Sequence, residues 1–371
     1  MALPVFGASL LSAAASLPMH LMPLLVVALV AESRLPFAQA GLIASAYMVG
    51  QMVATLGLPA LKFARLKRSH AMAAVGILLV SVLVSARLSS QAMLACWFVV
   101  GAACGALQFL GATTAAAAAN RHSAFSLRLA VTLLISGFAI VAVQMTGGFG
   151  GYAFLMVQLS IVFLTITGVG LVLYRAPVAP QVLTTSTKSA ARPDRLLGLA
   201  VIFLLFVGQP GFWAYAVQNV QQRGVVLEHL AYAIAFCKTA AGLVLLASAM
   251  HPSNKAKEGL FFPGLVVALG VLGMATANSA VNFLLGLLLW ELGLNVLSAR
   301  LQAAVVQDNP ATAGPWLVGA IFLGAATGPL LHGLALQAQV TLVFAAYAGL
   351  SALIPVAWIY LRGQIARAKT S

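Results

Sequence analysis

The chain has 371 residues, 62% hydrophobic and only 7% charged, with a formal net charge of +14 and a mean hydropathy of +1.03. So little charge excludes a soluble globular protein of this length and describes a polytopic membrane protein instead. Cys96, Cys104 and Cys237 all fall inside apolar segments, which fits neither a disulfide framework nor a clustered zinc site.

Apolar runs of about 20 residues are each long enough to cross the hydrocarbon core. They predict twelve helical spans, near 6–30, 37–61, 70–87, 91–115, 127–147, 151–174, 196–219, 229–250, 260–277, 280–302, 314–336 and 340–361. The first run has no basic stretch ahead of it, so no cleavable signal peptide is expected. Residues 175–195, RAPVAPQVLTTSTKSAARPDR, are the one long polar connection, and their Pro, Ser and Thr content predicts a flexible linker. The expected organisation is an N-terminal six-helix bundle (1–175), a linker (176–194) and a C-terminal six-helix bundle (195–371).

Charge placement predicts orientation. With the N-terminus inside, sixteen Lys and Arg side chains fall in segments on the cytoplasmic side: Lys62, Arg65, Lys67, Arg68, Arg121, Arg128, Arg175, Lys188, Arg192, Arg195, Lys255, Lys257, Arg300, Arg362, Arg367 and Lys369. Arg34, Arg87 and Arg223 fall outside, and Lys238 is left within the membrane. By the positive-inside rule both termini are cytoplasmic, and the excess of positive charge reflects topology rather than a nucleic-acid partner. The two halves also match at a constant offset of 192: Pro18 with Pro210, Gly50 with Gly242, Gly101 with Gly293, and Ser136-Gly137 with Gly328-Pro329. Six spans per half make such repeats parallel.

Twelve spans in two parallel repeats resemble the major facilitator superfamily over essentially the whole chain. That family's signature between the second and third helices, Gly-x-x-x-Asp-Arg-x-Gly-Arg-Arg, faces GLPALKFARLKR here, from Gly57 to Arg68. The basic residues are present; the aspartate is not, and Ala64 stands in place of the second glycine. The antiporter signature is missing from the fifth helix (SGFAIVAVQMTGG), while Gly324-x-x-x-Gly328-Pro329-x-x-x-Gly333 stands in the eleventh. The resemblance implies an all-α membrane fold that works by alternating access.

Residues 283–302, FLLGLLLWELGLNVLSARLQ, place one carboxylate, Glu291, inside a span. A charge there costs roughly 2.5–3.5 kcal/mol on insertion scales, so it calls for a partner or a task. Asn295, Ser298 and Gln302 follow at helical spacing on the same face. This stripe is expected to line a solvated cavity, with Glu291 at its closed end; a hydrogen-bonded seam between helices is the competing reading. Counted by helical rise, Lys238 lies about 15 Å below Glu228, Glu291 about 20 Å below Asn278 and His20 about 18 Å below Glu32. Three ionisable groups therefore share one level, with His332 shallower.

The first and seventh helices are expected to break, around Pro18 and Pro23 and at Gly208-Gln209-Pro210-Gly211. Beside the second break, Gln209, Trp213, Tyr215 and Gln218 offer aromatic walls and hydrogen bonds to a small organic molecule. Met19, His20, Met22 and the Met48/Met52 pair supply soft ligands and an alternative reading, copper import. No nucleophile with a partnered base, phosphate-binding loop or metal-hydrolase spacing is found.

These residues lead to a proton-coupled secondary transporter of a small organic solute, not an enzyme. The expected proton-coupling residues are Glu291, Lys238 and His20, and the expected substrate contacts are Gln209, Trp213, Tyr215, Asn295 and Gln108. Efflux is placed ahead of uptake of a small organic anion; a receptor or scramblase is the remaining alternative. No cofactor or metal is expected. The expected partners are the substrate, protons and the lipid bilayer, with no nucleic acid, and the expected form is a monomer in a bacterial cytoplasmic (inner) membrane. A cysteine at Ser253 should react with impermeant thiol reagents only from the cytoplasmic side, and one at Asn278 only from outside. Reversal of either labelling pattern would overturn the assigned orientation.

Overall fold

In hydrocarbon the backbone has no hydrogen-bond partner but itself, which leaves helices as the means of crossing for apolar runs of this length. The computed structural model describes residues 3–22, 24–25, 28–29, 37–61, 66–146, 151–174, 193–225, 229–250, 259–306 and 310–368, and its regular structure there is helical throughout. The N-terminal half supplies α1 (Leu3–His20), α2 (Phe37–Ala60), α3 (Arg68–Ser85), α4 (Ser90–Ala116), α5 (Arg121–Met145) and α6 (Tyr152–Leu173). The C-terminal half supplies α7 (Pro193–Gln221), α8 (Leu230–Met250), α9 (Phe261–Ala275), α10 (Ala280–Val306), α11 (Pro310–Gln337), α12 (Thr341–Ser351) and α13 (Ile354–Ala368). Ten helical stretches among the described residues are long and apolar enough to span a membrane, Thr341–Leu361 across α12 and α13 being one; Val5–His20 and Phe261–Ala275 are shorter apolar helices. The twelve predicted spans are thus accounted for. The 176–194 linker except its last two residues, Pro23, Glu32, Glu228 and Ser253 lie outside the described residues.

Helix packing follows the repeat. Across the two halves α2 lies along α11 and α5 along α8, with smaller contacts of α4 on α11 and of α5 on α10. Each pair maps onto its counterpart when the halves are exchanged. Helices α3, α6, α9 and α12 are peripheral and turn large apolar side chains outward, among them Val80, Ile161, Leu164, Phe262, Leu272 and Leu342. Water would penalise such a surface and lipid would not, so this is the face of an integral membrane protein.

Glycine sets how closely the helices approach. A Cβ on Gly211 of α7 would lie 2.6 Å from the Gly328 carbonyl carbon, and one on Gly286 of α10 would lie 2.6 Å from the Met274 nitrogen. Gly50 and Gly101 both serve the α2–α4 contact. Their repeat mates have other partners: Gly242 packs on Leu134 of α5, and Gly293 on Pro263 and Val267 of α9. The repeated positions share a role in close approach but not a neighbour.

One sequence expectation is corrected. Helix α7 runs unbroken through Gly208-Gln209-Pro210-Gly211. Proline removes one intrahelical hydrogen bond, but the flanking glycines press the helix onto its neighbours, Gly208 on Ala348 and Ser351, and Gly211 on Gly328. In α1 Pro18 is likewise helical, and the regular helix ends at His20 with a turn at Leu21. Gly328→Val, whose side chain would strike the Val207 carbonyl and the Gly211 backbone, should cost about 1–3 kcal/mol or more by overpacking. The check is a melting temperature several degrees lower in detergent, with Gly328→Ala intermediate; an unchanged melt would refute the close-contact role.

Candidate functional site

Helices α8 and α10 cross at the level where each carries its single charged mid-membrane residue. Lys238 of α8 forms an ion pair with Glu291 of α10, both 1% exposed. The second carboxylate oxygen accepts from Asn295 Nδ2 at 3.0 Å, one turn along the same helix. Both members of the pair belong to the C-terminal half. The third contact crosses the halves: Lys238 Nζ lies 3.2 Å from Nδ1 of His20, the last residue of α1. As an ammonium, Lys238 donates to both, so His20 accepts through an unprotonated Nδ1.

Aromatic rings hold the lysine in place. Lys238 Nζ stands 5.2 Å from the centroid of Trp213, within reach of the ring's negative face. Trp213 stacks on Trp290 at 5.1 Å, and Trp290 Nε1 donates to Gln209 Oε1 at 2.7 Å. The Gln209 amide donates in turn to Ala348 O at 2.6 Å and Ser351 Oγ at 3.1 Å. Gln209 is therefore spent on joining α7, α10 and α12. The Trp213 indole nitrogen is buried with no acceptor.

The layers above and below are closed. Towards the linker, Leu129, Ala130 and Leu133 of α5 pack with Ala241, Leu245 and Leu246 of α8 and with Leu292, Val296 and Ala299 of α10. Further that way, Ser123 Oγ donates to Ala249 O at 2.5 Å. Towards the other surface, Tyr215 lies against Gly41 of α2 and Gly333 of α11. His332 packs there between Phe212 and Phe344, donating from Nδ1 to Gly211 O at 2.8 Å, with Nε2 3.3 Å from Asn219 Nδ2. Asn295, Ser298 and Gln302 are buried with Glu291. The stripe expected to line a solvated cavity is instead packed shut, and the ion pair is enclosed.

The structure thus brings Glu291, Lys238, His20, Asn295 and Trp213 together. Tyr215 and Gln209 lie in the packing around them, and Gln218 Oε1 is a buried unpaired acceptor elsewhere on α7. Met48 is buried in the α2 core. Gln108 belongs to a second polar cluster, in the N-terminal half, with Ser12 and Ser16 of α1 and Arg128 of α5. Charge counting assigned Arg128 to the cytoplasmic surface. Instead it is 7% exposed, seven residues into α5. Its eight-residue distance from the polar Asn120 was the available signal, since it places the side chain about 12 Å inside the helix end. Trp290, also unforeseen, carried none beyond its place beside Glu291.

Removing one member of a buried pair strands the other, at about 3–5 kcal/mol, while removing both can be nearly neutral. Lys238→Met should therefore melt several degrees below the parent, and adding Glu291→Gln should recover most of the loss. A double variant less stable than Lys238→Met alone would show that the two side chains are not coupled.

No family model and no curated protein matches this sequence. Solved structures do match its fold. The human organic anion transporter MFSD10 (TETRAN) aligns with a TM-score of 0.72 at 18% identity, over 96% of this chain and 97% of that one. A mutant of the nucleoside transporter NupG aligns at 0.71 and 13% identity, over 96% and 99%. A variant of the E. coli fucose:proton symporter FucP, a protein also described as a major facilitator superfamily transporter, aligns at 0.68 and 14% identity over 97% of each chain. Across nearly its whole length, the chain has the fold of the major facilitator transporters.

Proposed function

We propose that the protein is a proton-coupled secondary transporter of a small organic solute, in which the halves 1–175 and 195–371 rock about the Lys238–Glu291 level. The observation that carries this reading is the position of Lys238, shared between Glu291 of its own half and His20 of the other. A purely structural ion pair has no need of an acceptor across the moving interface. The solved neighbours support it by their own activities, one being a symporter with protons and another an organic anion transporter.

The coupling follows from charge. An ionised carboxylate pairs with an ammonium, and a protonated one does not. When the halves part, His20 leaves Lys238. When Glu291 is protonated, Lys238 loses its anion and is free to meet a substrate group. Protonation of Glu291 and its pairing with Lys238 therefore exclude each other, the minimum a coupled carrier requires. Trp213 and Trp290 form the apolar wall beside the exchange, and Asn295 orients the carboxylate.

A thermal-stability screen of purified protein against metabolites and drugs supplies the substrate, because a ligand of the native state raises its melting temperature. Glu291→Gln imitates the protonated carboxylate and has no proton to release. In proteoliposomes this variant should still bind and exchange substrate, yet build no gradient under an imposed pH difference. Accumulation at the parental rate would move the proton to another residue, His20 being the next to test.

A further inference from the structure

The chain has six acidic residues, and five of them, Glu32, Asp194, Glu228, Glu258 and Asp308, lie outside the membrane-spanning stretches. Glu291 is committed to Lys238. Among the described residues, Arg128 is therefore a buried cation with no carboxylate at its guanidinium. Its Nε donates to Ser12 Oγ at 2.9 Å and its Nη2 to Gln108 Oε1 at 2.6 Å, but Nη1 is buried with no hydrogen-bond partner. A guanidinium out of water costs several kcal/mol unless an anion answers it, and two neutral oxygens are a weak answer. Ser12, Ser16 and Gln108 hold each other in place, Ser12 Oγ donating to Gln108 Oε1 at 2.7 Å and Gln108 Nε2 donating to Ser12 O at 3.1 Å. One turn along α4 from Gln108, Gln51 of α2 packs on Gly105 with neither amide atom bonded. Unpaired donors so deeply buried are rare in native folds and want an explanation.

We infer that Arg128 is the anchor for a carboxylate of the transported solute. A carboxylate fits the guanidinium fork through two parallel N–H···O bonds. It would use Nη1, which has no partner, and Nη2, which now donates to the Gln108 oxygen that stands in the carboxylate's place. Position supports the assignment. Arg128, Thr132 and Ser136 recur every four residues on one face of α5, and this face climbs about 12 Å from the arginine. One residue beyond Ser136, on the side of α5 that faces the other half, Gly137 packs against Ala235 and Thr239 of α8, beside Lys238. The Lys238 level lies about 12 Å along α5 from the guanidinium, so a small acid engages the Arg128 anchor without bridging to Lys238. The inference rests on the transport reading for its setting, but anchoring requires no proton movement.

The test is equilibrium binding by the full chain in detergent at fixed pH and ionic strength. Thermal unfolding is followed with millimolar acetate, lactate, benzoate and salicylate, each against its neutral amide, and with inorganic phosphate and sulfate. The parent should gain about 3 °C or more from at least one carboxylate and not from its amide. Arg128→Gln should lose that shift, and Arg128→Lys, which keeps the charge without the fork, should retain less than half. Without ligand, Arg128→Gln should melt at or above the parent, because an unanswered buried charge has been removed. A shift that persists in Arg128→Gln, equal shifts with the amides, no carboxylate shift at all or a response to phosphate alone would overturn the proposal. So would a ligand-free Arg128→Gln that melts several degrees lower, since the arginine would then be a structural brace. No proton gradient enters this readout, so its failure leaves the Glu291 mechanism standing, and the converse also holds.

Discussion

Twenty bases face six acids in this chain, and only one acid lies within the membrane spans. That scarcity organises the interior. Water answers a charge at a helix end, but a charge in the middle of the bundle must be answered by the protein. Lys238 takes the single carboxylate, and the tryptophan stack, Asn295 and His20 are arranged around the result. Arg128 is left with a serine and a glutamine. Among the described residues, the satisfied buried cation Lys238 and the under-satisfied one, Arg128, therefore lie in opposite halves of a pseudo-symmetric fold.

Close helix packing makes such an interior possible. Gly137 of α5 packs on the Ala235 backbone of α8, and Gly242 of α8 on Leu134 of α5, so the two halves meet closely along α5–α8, as they also meet along α2–α11. An apolar layer on the linker side and the Tyr215–His332 cluster on the other exclude water from the pair between them. In so low a dielectric, a change in the charge of Glu291 acts on Lys238 far more strongly than it would at a surface. On the proposed transport reading, the same enclosure means that a solute would enter only after one of the two layers opens.

Much of the fold was legible because hydrocarbon permits so few backbone solutions; twelve apolar runs read directly as twelve crossings. The meeting of Lys238 with Glu291 was legible from helical rise, as both depths are fixed by the nearest loop. What failed depended on neighbours that a linear pattern does not contain. Gln209 looked free beside a proline, but Trp290, eighty-one residues on, takes its oxygen, and the backbone of α12 takes its amide. The break expected at Pro210 is overridden by the glycines on either side, whose value is the approach of α11 and α12 rather than freedom of φ and ψ. Arg128 was misplaced because charge counting has no term for a basic residue two turns inside a helix. The linker side of α5 looked like a continuation of the cytoplasmic loop.

Helix α1 gives the two cations a common connection. Ser12, Ser16 and His20 are spaced four residues apart and share one face. The first two hold Gln108 and Arg128, and the last reaches Lys238 in the opposite half. Any displacement of α1 relative to α8 strains the His20 contact directly, while the Ser12 and Ser16 contacts keep α1 fixed to its own bundle. A group that draws Gln108 away from Arg128 also disturbs Ser12 and Ser16, and through the rigid helix the position of His20. The physical requirement for coupling between solute and proton is a two-state element biased from both ends. In the proposed transport cycle, α1, with polar contacts to both cations on one face, would be that element.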